Sequence, residues 1–153
     1  MYPSNYLAFL HYFHVDRDYF ECHEVLEHEW KKQPDPDRLS PYVVLIQTAV
    51  ALYHERRGNE KGAKILFHRV LTRLQTRSFQ LNQLGIDEQQ LQLDLQDHFN
   101  QIGTRPFIDY DLPLIDKQLL ATCKRHAKGK WGRKSRLNEE QLVHKHLLRT
   151  RKT

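Results

Sequence analysis

The chain has 153 residues, of which 39% are hydrophobic and 28% are charged. This length suits one domain, or one domain with an appendage, whose core needs no disulfide or metal to hold it together. No apolar run reaches the roughly 18 residues of a membrane span, and the N-terminal residues lack the basic region and cleavage site of a secretory signal. Cys22 and Cys123 fit neither a disulfide framework nor a Cys-pair metal site, so we expect a cytoplasmic protein that is not bound to a membrane.

The net charge of +5 is divided unevenly along the chain. Residues 1–116 carry 12 Lys and Arg against 17 Asp and Glu, whereas residues 117–153 carry 12 against only two. This asymmetry predicts a mildly acidic helical domain, 1–116, and a basic, partly helical C-terminal extension, 117–153, that meets an anionic partner such as nucleic acid or an acidic protein. The alternative is a tail that only solubilises the protein and screens the acidic domain.

Helix signals begin close to the N-terminus. Residues 4–14 are aromatic and compatible with a helix. Asp18, with Glu21 three residues later, resembles a capping box and predicts the start of a second helix. That helix has to end before the two prolines of residues 33–38, because a proline disfavours helical geometry at the residue before it.

The third predicted helix is the most apolar one. Ser40 followed by a proline predicts its start, and Gly58 predicts its end. Apolar residues cover nearly its whole circumference, with Thr48 and Glu55 as a narrow solvated stripe, which predicts a central helix. A fourth amphipathic helix is expected over residues 60–75.

The second half of the chain continues the helical pattern. Asp87 predicts the start of a helix that ends at Gly103, and residues 104–113, with two prolines, predict an extended, partly buried crossing. Short helices are expected around 115–126 and 138–148. No alternating run of β-branched residues occurs, so the sequence predicts an all-α fold, a compact bundle of short helices.

Polar residues interrupt the apolar faces of the second and third helices. Projection of the second helix places His23 and Glu27 within its apolar arc, where a carboxylate needs a partner. Gln47 and His54 share one face of the third helix about 10 Å apart, and they are the predicted partners. We therefore expect His23 and Glu27 to be buried in a polar seam between the two helices, whose mouth would contain Glu24, Trp30, Arg57 and Asn59.

The seam residues occur within two distinctive runs. The first is YFECHEVLE at residues 19–27, followed by Trp30, and it has the pattern His-Glu-x-x-Glu-x-x-Trp. The second comprises LIQ at residues 45–47, ALYH at 51–54, RGN at 57–59 and GA at 62–63. In order and spacing these runs resemble the signature of the domain of unknown function family 309. The resemblance implies a small all-helical cytoplasmic domain of prokaryotic type, and it implies no reaction.

Several chemistries are open to the seam. It could be a satisfied network that fixes the register of two helices and catalyses nothing. Glu27 with His23 or His54 could also act as a general acid–base pair in a small hydrolase-like enzyme, or the three could bind a metal or ligand. A zincin motif is not complete, because Glu27 stands where its second histidine is needed. No phosphate-binding loop is present, and no cofactor is predicted.

The basic C-terminal region has its own candidate site. Residues 124–136, called the basic segment below, contain seven Lys and Arg and no carboxylate, and Trp131 lies between two of the cations. The anion-binding candidates are Lys124, Arg125, Lys128, Lys130, Trp131, Arg133, Lys134 and Arg136. Trp131 could stack on a base while the cations contact phosphates, or it could pack on the acidic domain while cations pair with Asp and Glu there. The sequence thus favours a binding or adaptor module with an anionic partner.

Overall fold

The computed structural model describes residues 2–33, 39–136 and 140–145, and in that part of the chain it is helical without a β-strand. A π-helical turn, Tyr12–Asp16, follows the first helix, and a 3-10 turn, Leu81–Leu84, precedes the fifth. The all-α prediction is confirmed. The α-helices are α1 Ser4–His11, α2 Tyr19–Lys31, α3 Pro41–Arg56, α4 Glu60–Thr76, α5 Glu88–Gln101, α6 Lys117–Ala127 and the short α7 Glu140–Val143.

The helices begin where capping side chains can satisfy their first free N–H groups. Asp18 accepts from the amide of Glu21, as the capping pattern predicted. Ser40 and Asp87 cap α3 and α5 in the same way. Asn59, which was predicted at the mouth of the seam, caps α4. Of the helix expected around 138–148, residues 138–139 and 146–148 lie outside the described residues.

Helix α3 is the centre of the fold, packed between α2 and α4. The predicted solvated stripe on α3 is wrong. Thr48 is fully buried and donates to the Val44 carbonyl at 2.8 Å, and the Glu55 side chain is only 4% exposed. Helix α5 places His98 against this side of α3, where its Nε2 donates to Glu55 Oε1 at 2.5 Å. Glu55 is polar because α5 supplies the matching group, His98, whereas the Thr48 hydroxyl is satisfied within α3.

Residues 104–113 form the predicted non-helical crossing, which is held by side chains of the core. Leu112 is buried, and its amide donates to His14 Nε2 at 3.0 Å. Arg17 donates to the Tyr110 carbonyl at 2.9 Å and to Asp111 at 2.6 Å.

Among the described helices, none combines the length and hydropathy that crossing a membrane requires.

Candidate functional site

His23, Glu27 and Lys31 form a row along the exposed side of α2. His23 Nε2 lies 2.8 Å from Glu27 Oε2, and Lys31 Nζ lies 2.7 Å from Glu27 Oε1. The hydrogen bond from Lys31, followed by the nearby His23, lowers the pKa of the Glu27 carboxyl and keeps it ionised. The side chains of His23 and Glu27 are each 31% exposed.

The predicted burial of His23 and Glu27 is therefore wrong, and so is their pairing with Gln47 or His54. The buried side of α2 is set by Tyr19, Cys22 and Leu26. Because Cys22 belongs to the core, the true apolar arc is rotated away from His23 and Glu27, which lie at its edge. His23 and Glu27 can then pair with each other on α2.

A pocket of about 290 Å³ opens beside Glu27, where α2, α3 and α4 meet. It brings together three predicted seam residues, Glu27, Trp30 and Gln47, but neither His23 nor His54 lines it. The Gln47 Oε1 atom is buried, so it does not face the open pocket, and it accepts no hydrogen bond from the described residues. The other lining residues are Val43, Ile46 and Arg73.

The other predicted seam residues lie apart from this pocket lining. His54 Nδ1 lies 3.3 Å from the side chain of Asn59, and the Arg57 guanidinium is 5.9 Å from the centre of the Tyr53 ring. Glu24 is 3.4 Å from His23 Nδ1, and its side chain is 48% exposed. The predicted seam is thus divided into the pocket residues, the pair His23 and Glu24 on α2, and a separate polar group at the end of α3.

The candidate metal ligands do not form a metal site. Within residues 2–33, 39–136 and 140–145, no group of three or more His, Cys, Asp or Glu side chains could hold a metal ion. His23, Glu27 and His54 are accordingly not gathered around one point.

Cys22 is buried, which raises the pKa of its thiol and leaves it without the thiolate that a nucleophile needs.

The basic segment packs against the rest of the protein through alternate residues. The Trp131 ring stacks on His14, with ring centroids 4.2 Å apart. Arg133 Nε donates to the Val15 carbonyl at 2.6 Å, and its guanidinium lies 3.6 Å from Asp16. Ser135 donates to Asp109 from its amide at 2.7 Å and from its hydroxyl at 2.5 Å. Of the two alternatives for Trp131, the structure shows the packed one.

Three lysines of the basic segment face solvent, as do the cations of the last turn of α6. Lys128, Lys130 and Lys134 are exposed, and none pairs with a carboxylate of the described residues. The exposed cations of the segment are Lys124, Arg125, Lys128, Lys130, Lys134 and Arg136. The boundary at residues 116 and 117 stays a prediction, and the described part of the C-terminal region is packed onto the helical body.

Two buried arginines hold this arrangement and were not found from the sequence. Arg17 is 2% exposed and donates to the Arg133 carbonyl at 2.7 Å. Arg56 is 7% exposed and lies 4.7 Å from the centre of the Tyr19 ring. It also donates to Ser135 Oγ at 3.1 Å. The partners of both arginines are backbone carbonyls and residues distant in the chain, so the local sequence pattern carries no signal for these contacts.

Arg73 is the charged pocket residue that was not predicted from the sequence. It lies on α4 directly before the buried Leu74 and three residues after the buried Val70, at the edge of the apolar side. That edge position was the available signal, and it does not reveal which neighbouring helix Arg73 faces.

A family model and a curated protein both match this chain. A family model described as "Domain of unknown function (DUF309)" matches residues 6–66. The uncharacterized protein YpuF of Bacillus subtilis (strain 168) is 41% identical over 155 aligned positions, which cover 99% of this chain and 89% of YpuF. The chain belongs to the DUF309 family. No solved structure matches it.

The DUF309 match and the YpuF similarity cover different parts of the chain. The DUF309 match runs from α1 into α4 and includes the pocket residues Glu27, Trp30 and Gln47. The similarity to YpuF extends over nearly the whole chain and therefore includes the basic segment. Neither printed description states a reaction or a partner.

Proposed function

We propose that this protein is a binding module that holds a nucleic-acid phosphate backbone on the exposed side of the basic segment. The observation that carries the proposal is that some residues of that segment are anchored to the body while others face solvent. Trp131, Arg133 and Ser135 are anchored to the body, whereas Lys128, Lys130 and Lys134 point to solvent without a described carboxylate partner. Cations that only solubilise a tail need no such anchoring.

The anchoring supports binding because it orders the backbone before the partner arrives. A flexible basic tail would lose conformational entropy when it binds, and a segment already fixed on the body loses less. The negative net charge of residues 1–116 repels a polyanion from the rest of the surface, so contact is confined to the basic side.

The proposed binding does not read sequence. One face of the partly buried Trp131 ring is stacked on His14, so that face is not available to a base. Affinity then comes from counterion release when Lys and Arg neutralise phosphates. With about five phosphates neutralised, the slope of log affinity against log salt would be near −3.5 for a single strand and about −4.5 for a duplex.

The test compares two triple variants of the full chain in fluorescence anisotropy with a labelled mixed-sequence RNA at several salt concentrations. In the first, Lys128, Lys130 and Lys134 are replaced by Gln. In the matched control, three exposed cations of α4, Lys61, Lys64 and Arg69, are replaced by Gln. The first variant should bind at least about tenfold more weakly than the parent. Its slope of log affinity against log salt should be less negative by about 2, whereas the control should bind like the parent.

Two results would contradict the proposal. Equal loss of affinity in both variants would mean that net charge alone attracts the RNA. Binding of polyglutamate but not of RNA by the parent would assign the basic segment to an acidic protein instead.

A further inference from the structure

A second cleft, of about 310 Å³, lies where the crossing, α6 and the basic segment meet, and is called the Trp131 cleft below. Its apolar lining comes from all three elements and consists of Leu112, Pro113, Leu114, Leu120 and Trp131. It is thus an open apolar surface set directly beside the exposed cations of the basic segment.

Trp131 contributes only part of its ring to this cleft. One face stacks on the ring of His14, which is fully buried. Trp131 itself is half-buried and packs against the core. Packing on the body therefore uses one face of the indole and leaves the opposite face and the edge for the cleft.

The polar side chains that border the cleft already have partners. His14 Nδ1 bonds to the Leu10 carbonyl, and its Nε2 accepts from the Leu112 amide. The Asp111 carboxylate accepts from the buried Arg17 at 2.6 Å. An occupant is then selected by contact with apolar surface and an aromatic ring, not by hydrogen bonds to these groups. A nucleobase offers a flat aromatic face, and its stacking on a protein ring tolerates any sequence.

Two exposed cations flank the cleft. Lys124 lines it one turn after Leu120, on the same side of α6, and it has no carboxylate partner among the described residues. Lys130 directly precedes Trp131. An aromatic surface between cations is the arrangement that binds single-stranded nucleic acid. We propose that the Trp131 cleft holds one unpaired base of the strand whose phosphates lie on the basic segment.

This inference rests on the proposed function and adds the class of nucleic acid, a single strand. A volume of about 310 Å³ is at the lower end of small-molecule pockets, which suits one base and not a stacked run. A duplex keeps its bases paired and stacked inside, so it can offer phosphates to the cations but no base to the cleft. Stacking of one base on an aromatic ring strengthens binding about 5- to 150-fold.

Fluorescence anisotropy of the parent protein with two labelled probes of equal length tests the contribution of the base. One probe is a mixed-sequence RNA strand, and the other is a strand of abasic residues with the same sugars and phosphates. The RNA strand should bind at least about fivefold more tightly at the same salt concentration, because the two probes release the same counterions. This comparison uses no variant, so it does not depend on the folding of one.

Tryptophan emission shows where the base lies. The chain has two tryptophans, so Trp30→Phe leaves Trp131 as the only one. Its emission should be quenched by the RNA strand, and far less by the base-free strand or by a fully paired RNA duplex. Trp131→Phe is the matched control. It keeps an aromatic ring beside His14 and retains Trp30, whose emission should not change because Trp30 lies in the pocket between α2, α3 and α4.

The inference is overturned if the base-free strand binds as tightly as the RNA strand. It is also overturned if bound RNA leaves the emission of Trp131 unchanged, or if the duplex quenches it equally. In each of these cases the RNA still binds through its phosphates, and the proposed function stands. If none of the three probes binds at low salt, the proposed function fails together with this inference.

Discussion

The rings of His14 and Trp131 stack at 4.2 Å with an angle of 21° between their planes. His14 lies in the π-helical turn after α1, and Trp131 lies in the basic segment more than a hundred residues later. The amide of Gly132 donates to the His14 carbonyl at 2.8 Å, so the same residue is bound by both its ring and its backbone. This contact fixes the basic segment on the N-terminal part of the fold.

Replacement of Trp131 by Ala should destabilise the protein by about 1–3 kcal/mol, because the ring is partly buried against the core and loses an aromatic contact. The free energy of unfolding in urea would measure this. Trp131→Phe keeps an aromatic ring and should recover most of the loss. An unchanged midpoint in the Ala variant would show that the segment is not held by this ring.

Acidification should destabilise the protein through His14. Burial lowers the pKa of His14 from 6.5 to about 4. Its Nδ1 donates to the Leu10 carbonyl and its Nε2 accepts from the Leu112 amide, which requires the neutral ring. Since the folded pKa is below the unfolded one, the unfolded state binds more protons between these values, and stability is lost as the pH falls from about 6.5 to about 4.

The predicted loss from His14 is about 3 kcal/mol across that window. Urea unfolding of the parent and of His14→Asn at several pH values would measure it. The variant should be less stable near neutral pH, and its stability should depend less on pH below about 6.5. The exposed His68 provides the control, since His68→Asn should keep the pH dependence of the parent. If the stability of His14→Asn depended on pH as steeply as that of the parent, the pH dependence could not be assigned to His14.

Two glutamates should respond to substitution in opposite ways. Glu55→Ala removes the acceptor of His98 and leaves Arg105, 3.7 Å from that carboxylate, without its charge partner, so we expect a loss of about 3–5 kcal/mol. Glu27→Ala breaks partly exposed pairs within one helix and should cost less than about 1 kcal/mol. Urea unfolding of both variants tests the contrast, and similar losses would contradict it.

These two glutamates also show how far the sequence could predict the fold. Periodicity and capping residues predicted the helices, because those signals are local and depend on neighbours three or four residues away. Which side of each helix is buried was less predictable. The sequence placed Glu27 in the core and Glu55 in solvent, whereas the Glu27 side chain is 31% exposed and the Glu55 side chain only 4%.

The reversal has a physical cause in each helix. On α2, Cys22 is part of the core, and leaving it out of the apolar arc rotated the arc towards Glu27. On α3, Glu55 is buried because His98 arrives from a helix more than forty residues later. A polar residue that meets a distant polar partner has the same local pattern as one that meets water. The candidate site was therefore predictable in part, as the grouping of Glu27, Trp30 and Gln47, while Arg73 was not.

The unpaired amide oxygen of Gln47 gives the last prediction. A buried acceptor without a donor is destabilising, and an apolar side chain of similar size avoids that cost. Gln47→Leu should therefore raise the free energy of unfolding by about 1 kcal/mol. Urea unfolding of dialysed protein would measure it, with Gln89→Leu as the exposed control that should change stability by less than about 0.5 kcal/mol. A destabilised Gln47→Leu variant would mean that the amide already makes a favourable contact in the folded protein.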